Sequence, residues 1–209
     1  MNLLIFICLF LFSIFIAIKD MKQYSKIYSK YKLFLIISSV LLFIISIIFL
    51  NKLMTFTQII VISLYPIGLS HFIIDLIDNE LPDISNLVIA LYGIFNLTFL
   101  YLEGNNNIRE ISMYLLSSIL LFSAYFLLAI ITGGQLGGGD IKLIGALGLF
   151  FPFNSIMPLA ILPFFIGGIL ATILLIKYYL IDKKYNKEKP QTMPFGPSII
   201  ISFILLIFL

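Results

Sequence analysis

The sequence predicts an all-α polytopic membrane bundle of about eight transmembrane helices, with both termini on the outer side. Three observations lead there. Of 209 residues, 61% are hydrophobic and only 11% are charged, against about 25% charged in an ordinary soluble domain. The apolar residues gather into runs near the length a bilayer requires. The Lys and Arg residues fall almost entirely in loops on one side, which orients the chain.

The spans follow in order. A hydrocarbon core about 30 Å thick needs roughly 20 apolar residues per helix, with about 17 tolerated. Eight segments meet or approach that length: Asn2–Ile18, Leu33–Leu50, Gln58–Ile77, Ile84–Leu102, Ile111–Thr132, Ile141–Asn154, Pro158–Leu180 and Pro194–Leu209. The sixth is short, and Phe151-Pro152-Phe153 interrupts its outer end. It and the seventh can also be read as one bent hairpin. No internal repeat or low-complexity tail appears, so residues 1–209 read as one domain.

Eleven of the thirteen basic residues share one side. Lys19, Lys22, Lys26, Lys30 and Lys32 follow the first span. Lys177, Lys183, Lys184, Lys187 and Lys189 follow the seventh, and Lys142 joins them. Only Lys52 and Arg109 lie opposite. The positive-inside rule makes the eleven cytoplasmic and the termini external. The first span has its charges after the apolar run and no small-residue cleavage site, so it reads as a retained anchor and not a signal peptide. The localisation expected is a plasma (inner) membrane.

The net charge of +3 belongs to these loops and is no nucleic-acid signature. The single cysteine, Cys8, excludes an internal disulfide and a cysteine-based zinc cluster. It reads as a small apolar residue within a span.

Two carboxylates stand out. Asp140 follows Gly137-Gly138-Gly139 between two apolar segments, and Asp75 ends another. Ionisable groups at membrane depth are costly and usually functional. The topology brings both to the same depth at the cytoplasmic face. Two close aspartates share a proton, because both cannot ionise cheaply. The charged member can then activate a water while the neutral one hydrogen-bonds a scissile carbonyl.

Plainer readings apply nearby. Asp140 could cap the sixth helix, and Asp83 the fourth. Asp78 and Glu80 suit a solvated loop. His71, Asp75 and Asp78 share a helix face, which with Asp140 makes a metal site conceivable. The only histidine reads more simply as a packed side chain, and no metal is assigned. The glycines suit either a tight turn or a passage for an extended substrate backbone. Lys142 suits an interfacial position, from which it could also favour charge on Asp140. Met193-Pro194-Phe195-Gly196-Pro197 opens the eighth span, where Pro is ordinary. On the same face as the aspartates, Pro194, Phe195, Gly196 and Pro197 could also border a substrate groove.

Three blocks resemble a known family, the type IV prepilin leader peptidases of the GxGD membrane aspartic proteases. They are Ile74-Asp75-Leu76 with Leu81-Pro82-Asp83, then Gly137-Gly138-Gly139-Asp140-Ile141-Lys142-Leu143, then Pro194-Phe195-Gly196-Pro197. The second fits the family's Gly-x-Gly-Asp-x-Lys-Leu. The resemblance runs from about residue 58 to the end. It implies a catalytic pair of Asp75 and Asp140 that cleaves the basic leader of prepilin or pseudopilin proteins at the cytoplasmic face, with no cofactor. Full-length bacterial members carry an insertion with paired Cys-x-x-Cys motifs after the first span and also N-methylate the product. Here that loop is about Lys19–Lys32 and has no cysteine, so peptidase activity without methyl transfer is expected.

The segment from Asp75 to Asp83 holds Asp75, Asp78, Glu80 and Asp83 and no basic residue, against the trend of the other cytoplasmic loops. Such a patch would draw a basic leader, giving Asp78 and Glu80 a role in capture. The partners expected are these substrates and membrane lipid. Two other classes remain: an ion- or proton-coupled small transporter using intramembrane carboxylates, and a non-catalytic scaffold. A transporter would show carboxylates nearer the midplane, broken helices there and often two similar halves; no such halves are visible.

Overall fold

A computed structural model describes residues 2–50, 55–104, 107–180 and 194–208. Among them are nine α-helices, one 3-10 turn and no strand. The helices are α1 Asn2–Gln23, α2 Ser25–Leu50, α3 Phe56–Ser63, α4 Tyr65–Asp78, α5 Asp83–Leu102, α6 Ile108–Ile131, α7 Gly138–Gly148, α8 Ile156–Leu180 and α9 Gly196–Phe208. Lys52, Lys183, Lys184, Lys187, Lys189 and Met193 lie outside the described residues.

Five helices are long and apolar enough to cross a membrane: α1, α2, α5, α6 and α8, the last extended by the turn at Phe153–Ser155. A sixth crossing is divided. α3 and α4 meet at Leu64 with a 44° bend. Pro66 in the first turn of α4 has no backbone N–H, so the helical ladder breaks there. The segment expected as one span, Gln58–Ile77, is therefore two helices. α7 and α9, with 11 and 13 residues, are about 17 and 20 Å long at 1.5 Å per residue, well short of the hydrocarbon core.

The helix ends follow from local sequence. Thr55 and Asn107 form capping boxes with Gln58 and Glu110, satisfying two free donors reciprocally at each start. α6 ends in a Schellman motif: Gly134 N–H donates to Ala129 O at 2.7 Å and Gly133 N–H to Ile130 O at 3.1 Å. Gly133 and Gly134 have positive φ, +67° and +83° respectively, which favours glycine there.

α1 packs on α2 and α4, α4 on α9, α5 on α7, α6 on α7, and α8 on α9. The main core joins Ile60, Ile67, Leu143, Ile144, Leu159 and Ile199. Tyr hydroxyls tie long helices together: Tyr92 Oη donates to Leu9 O at 2.6 Å, and Tyr125 Oη to Ala160 O at 3.0 Å. α7 lies close against α6 because its facing residues are small. A Cβ on Gly148 would come within 2.8 Å of Ser118 Cα, and Ser118 Oγ donates to Gly145 O at 2.7 Å. Small residues and short hydrogen bonds of this kind are how helices associate in lipid. Phe15, Leu33, Ile119 and Phe165 point outward, exposed, as a lipid-facing surface requires. The chain has the architecture of a multi-pass membrane protein.

Candidate active site

Asp75 lies three residues before the end of α4, and Asp140 in the first turn of α7. Both are buried, at 4% and 8% exposure. Both line one cavity of about 510 Å³, whose wall also includes Gly137, Gly138, Gly139 and Glu80. Helices that are remote in sequence thus bring the two carboxylates to one space.

The Asp75 carboxylate is held by the turn before α9. Gly196 N–H donates to Asp75 Oδ2 at 2.9 Å. Gly196 has to be glycine: a Cβ there would sit 3.0 Å from that oxygen and 3.2 Å from both Leu81 methyls. Pro194 and Pro197 flank it and are buried. The Pro194–Pro197 block is therefore a support for Asp75, and Pro194, Phe195, Gly196 and Pro197 do not line the cavity.

Asp140 is not the N-cap of its helix. Gly137 is, with extended φ and ψ of −68° and 145°. Asp140 sits three residues on and takes the Gly137 N–H on its side chain, the reciprocal half of a capping box. Its Oδ1 is buried with no hydrogen-bond partner. The two acids face one cavity, where a shared proton would relieve the repulsion of two charges.

The three glycines have different tasks, none needing positive φ. Gly139 fits against Leu81, where a Cβ would meet Leu81 Cβ at 2.7 Å. Asn86 of α5 donates to Gly139 O at 3.3 Å and so ties the loop to α5. A Cβ on Gly137 would lie 3.1 Å from Asp140 Oδ2, whereas one on Gly138 would meet nothing within 4 Å.

The acidic segment is pinned from both ends. His71 Nε2 and Ser85 Oγ are hydrogen-bonded, and Ser85 Oγ donates to Pro82 O at 3.0 Å. The serine has one proton and spends it on Pro82, so the histidine must carry its proton on Nε2. The histidine is a packed clamp. Among the described residues no cluster of His, Cys, Asp or Glu is arranged to hold a metal ion. Pro82 and not Asp83 is the N-cap of α5. Asp83 instead pairs with Lys142 at 2.7 Å, so Lys142 serves Asp83 and not Asp140. Both side chains are more than half exposed, and such pairs contribute little, about 0–1 kcal/mol.

Glu80 accepts a hydrogen bond from Tyr24 Oη at 2.8 Å. Burial and then this carboxylate push the Tyr24 hydroxyl up to about 12. Asp78 is exposed and does not line the cavity. Sequence reasoning passed over Asp20. It is 0% exposed, near the C-terminal end of α1, and forms part of the cavity wall. An acidic residue in the otherwise basic stretch Lys19–Lys32 was the available signal.

The family model described as "Type IV leader peptidase family" matches residues 62–172, more than half of the chain and including both aspartates. No curated protein and no solved structure gives a match.

Proposed function

Because the chain belongs to the type IV leader peptidase family, we propose that it is an aspartic endopeptidase cutting the basic leader from prepilin-like proteins at the cytoplasmic face of the plasma membrane. The observation that supports this most is the convergence of Asp75 and Asp140 on one cavity. In this reading the pair works with one shared proton. The charged carboxylate removes a proton from a water as it attacks the scissile carbonyl carbon. The other hydrogen-bonds the carbonyl oxygen, and the proton then passes to the departing amine, as general acid–base catalysis requires. Asp140 Oδ1, buried and unpartnered, suits the protonated side. Gly196 N–H orients Asp75 throughout.

An orientation with both termini outside puts the cavity on the basic, cytoplasmic side. The eight-segment plan of the family would take the bent α3–α4 pair as one segment and the short helices α7 and α9 as one each. α1 and α2 are separated only by Tyr24, which leaves no room for a cysteine-bearing insertion. This supports a peptidase that does not transfer methyl groups. Incubating purified protein with a prepilin peptide and labelled S-adenosylmethionine checks both halves. Cleavage without label transfer is expected; label on the product would overturn the second half, and an intact peptide the first.

A further inference from the structure

Five carboxylates line the cavity: Asp20, Asp75, Glu80, Asp83 and Asp140. Four have a donor. Asp83 has Lys142, Glu80 has the Tyr24 hydroxyl, Asp75 has Gly196 N–H and Asp140 has Gly137 N–H. Asp20 is fully buried, and among the described residues neither of its oxygens has a partner that meets hydrogen-bond geometry. The nearest groups that could serve it are the Ser85 hydroxyl and Lys19. Ser85 gives its proton to the Pro82 carbonyl. Lys19 is exposed and adjacent in sequence, so it leaves the helix on another side.

A buried carboxylate with both oxygens unmet is costly, and buried charges are normally paired. Every other acid at this cavity is served by the protein itself. Asp20 lacks a cation partner among the described residues, and it lies on the cavity wall.

We propose that Asp20 is a specificity residue that receives an ammonium or guanidinium side chain of the substrate leader. The inference rests on the peptidase reading for the identity of the substrate and on the cavity for the chemistry. A substrate Lys or Arg entering the cavity would pair with Asp20 as its backbone crosses the Gly137–Gly139 loop toward Asp75 and Asp140. The arrangement separates recognition from chemistry: Asp20 selects charge and anchors the leader, while the catalytic pair meets the peptide bond.

The test uses the full chain in detergent and a prepilin leader peptide whose lysines are replaced one at a time by norleucine, which keeps the stem and removes the charge. In the wild type, norleucine at one position should lower kcat/KM at least about tenfold, the scale of a single modest ion pair. In Asp20→Asn the lysine preference at that position should fall to about one, and Asp20→Glu should restore it. Anisotropy of the same peptides on Asp140→Asn protein, with and without Asp20→Asn, reads the same preference without cleavage. An intact preference at every position in Asp20→Asn would overturn the proposal. So would equal losses for lysine and norleucine peptides. If no peptide is cut but the binding preference still depends on Asp20, the peptidase reading fails and the cation site stands.

Discussion

Gly196 N–H donates to Asp75 Oδ2 at 2.9 Å, joining residues 121 positions apart. The C-terminal helix therefore begins at the candidate catalytic carboxylate. The bond fixes one oxygen of Asp75 and leaves the other to act. Gly196→Ala would put a methyl carbon 3.0 Å from the bonded oxygen and push the carboxylate away. Cleavage should fall by up to about 100-fold, the scale of misplacing a reacting group by about 1 Å. Parallel thermal unfolding in detergent should move much less, and an unchanged kcat would count against this support role.

The glycine loop makes a sharper distinction than its sequence suggests. Gly139→Ala forces a Cβ into Leu81, an overpacking that costs about 1–3 kcal/mol. It also shifts the Gly139 carbonyl that Asn86 holds. Gly138→Ala meets open space and should be nearly silent. Cleavage rates and melting temperatures of the two variants, measured side by side, check this. Equal damage at both positions would show that the loop needs flexibility along its whole length and not closeness at one point.

Acidity offers a different handle. A pair that shares one proton needs one acid charged and the other neutral. Wild-type kcat/KM should therefore rise and then fall as pH increases, in a bell-shaped profile that belongs to the pair. Asp140→Asn, which cannot hold the shared proton, should show no such bell at any pH. A wild-type profile without an alkaline limb would contradict the shared proton.

Much of this site was legible in the sequence. Asp75 and Asp140 stood out because charge is costly in an apolar chain, and lysine counting put them on one face. Their supports were not legible. Gly196 read as part of a groove border, since a backbone N–H leaves no trace in residue type. Asp83 read as a cap, yet a lysine 59 positions away claims it. Asp20 was hidden among lysines, because nothing local says that its side chain turns inward. The crossings were clear in α1, α2, α5, α6 and α8. They were less clear where Pro66 divides one span and where α7 is short, since hydropathy averages over breaks of one residue.

The central claim is that Asp75 and Asp140 act as one unit. The most direct measurement is cleavage of a prepilin substrate by wild type, Asp75→Asn and Asp140→Asn in membranes, with folding followed by thermal unfolding of the purified proteins. Each asparagine keeps the shape of the carboxyl and removes its ability to hold or give the proton. Both variants should remain folded and both should lose cleavage completely. Retained cleavage in either folded variant would contradict the account.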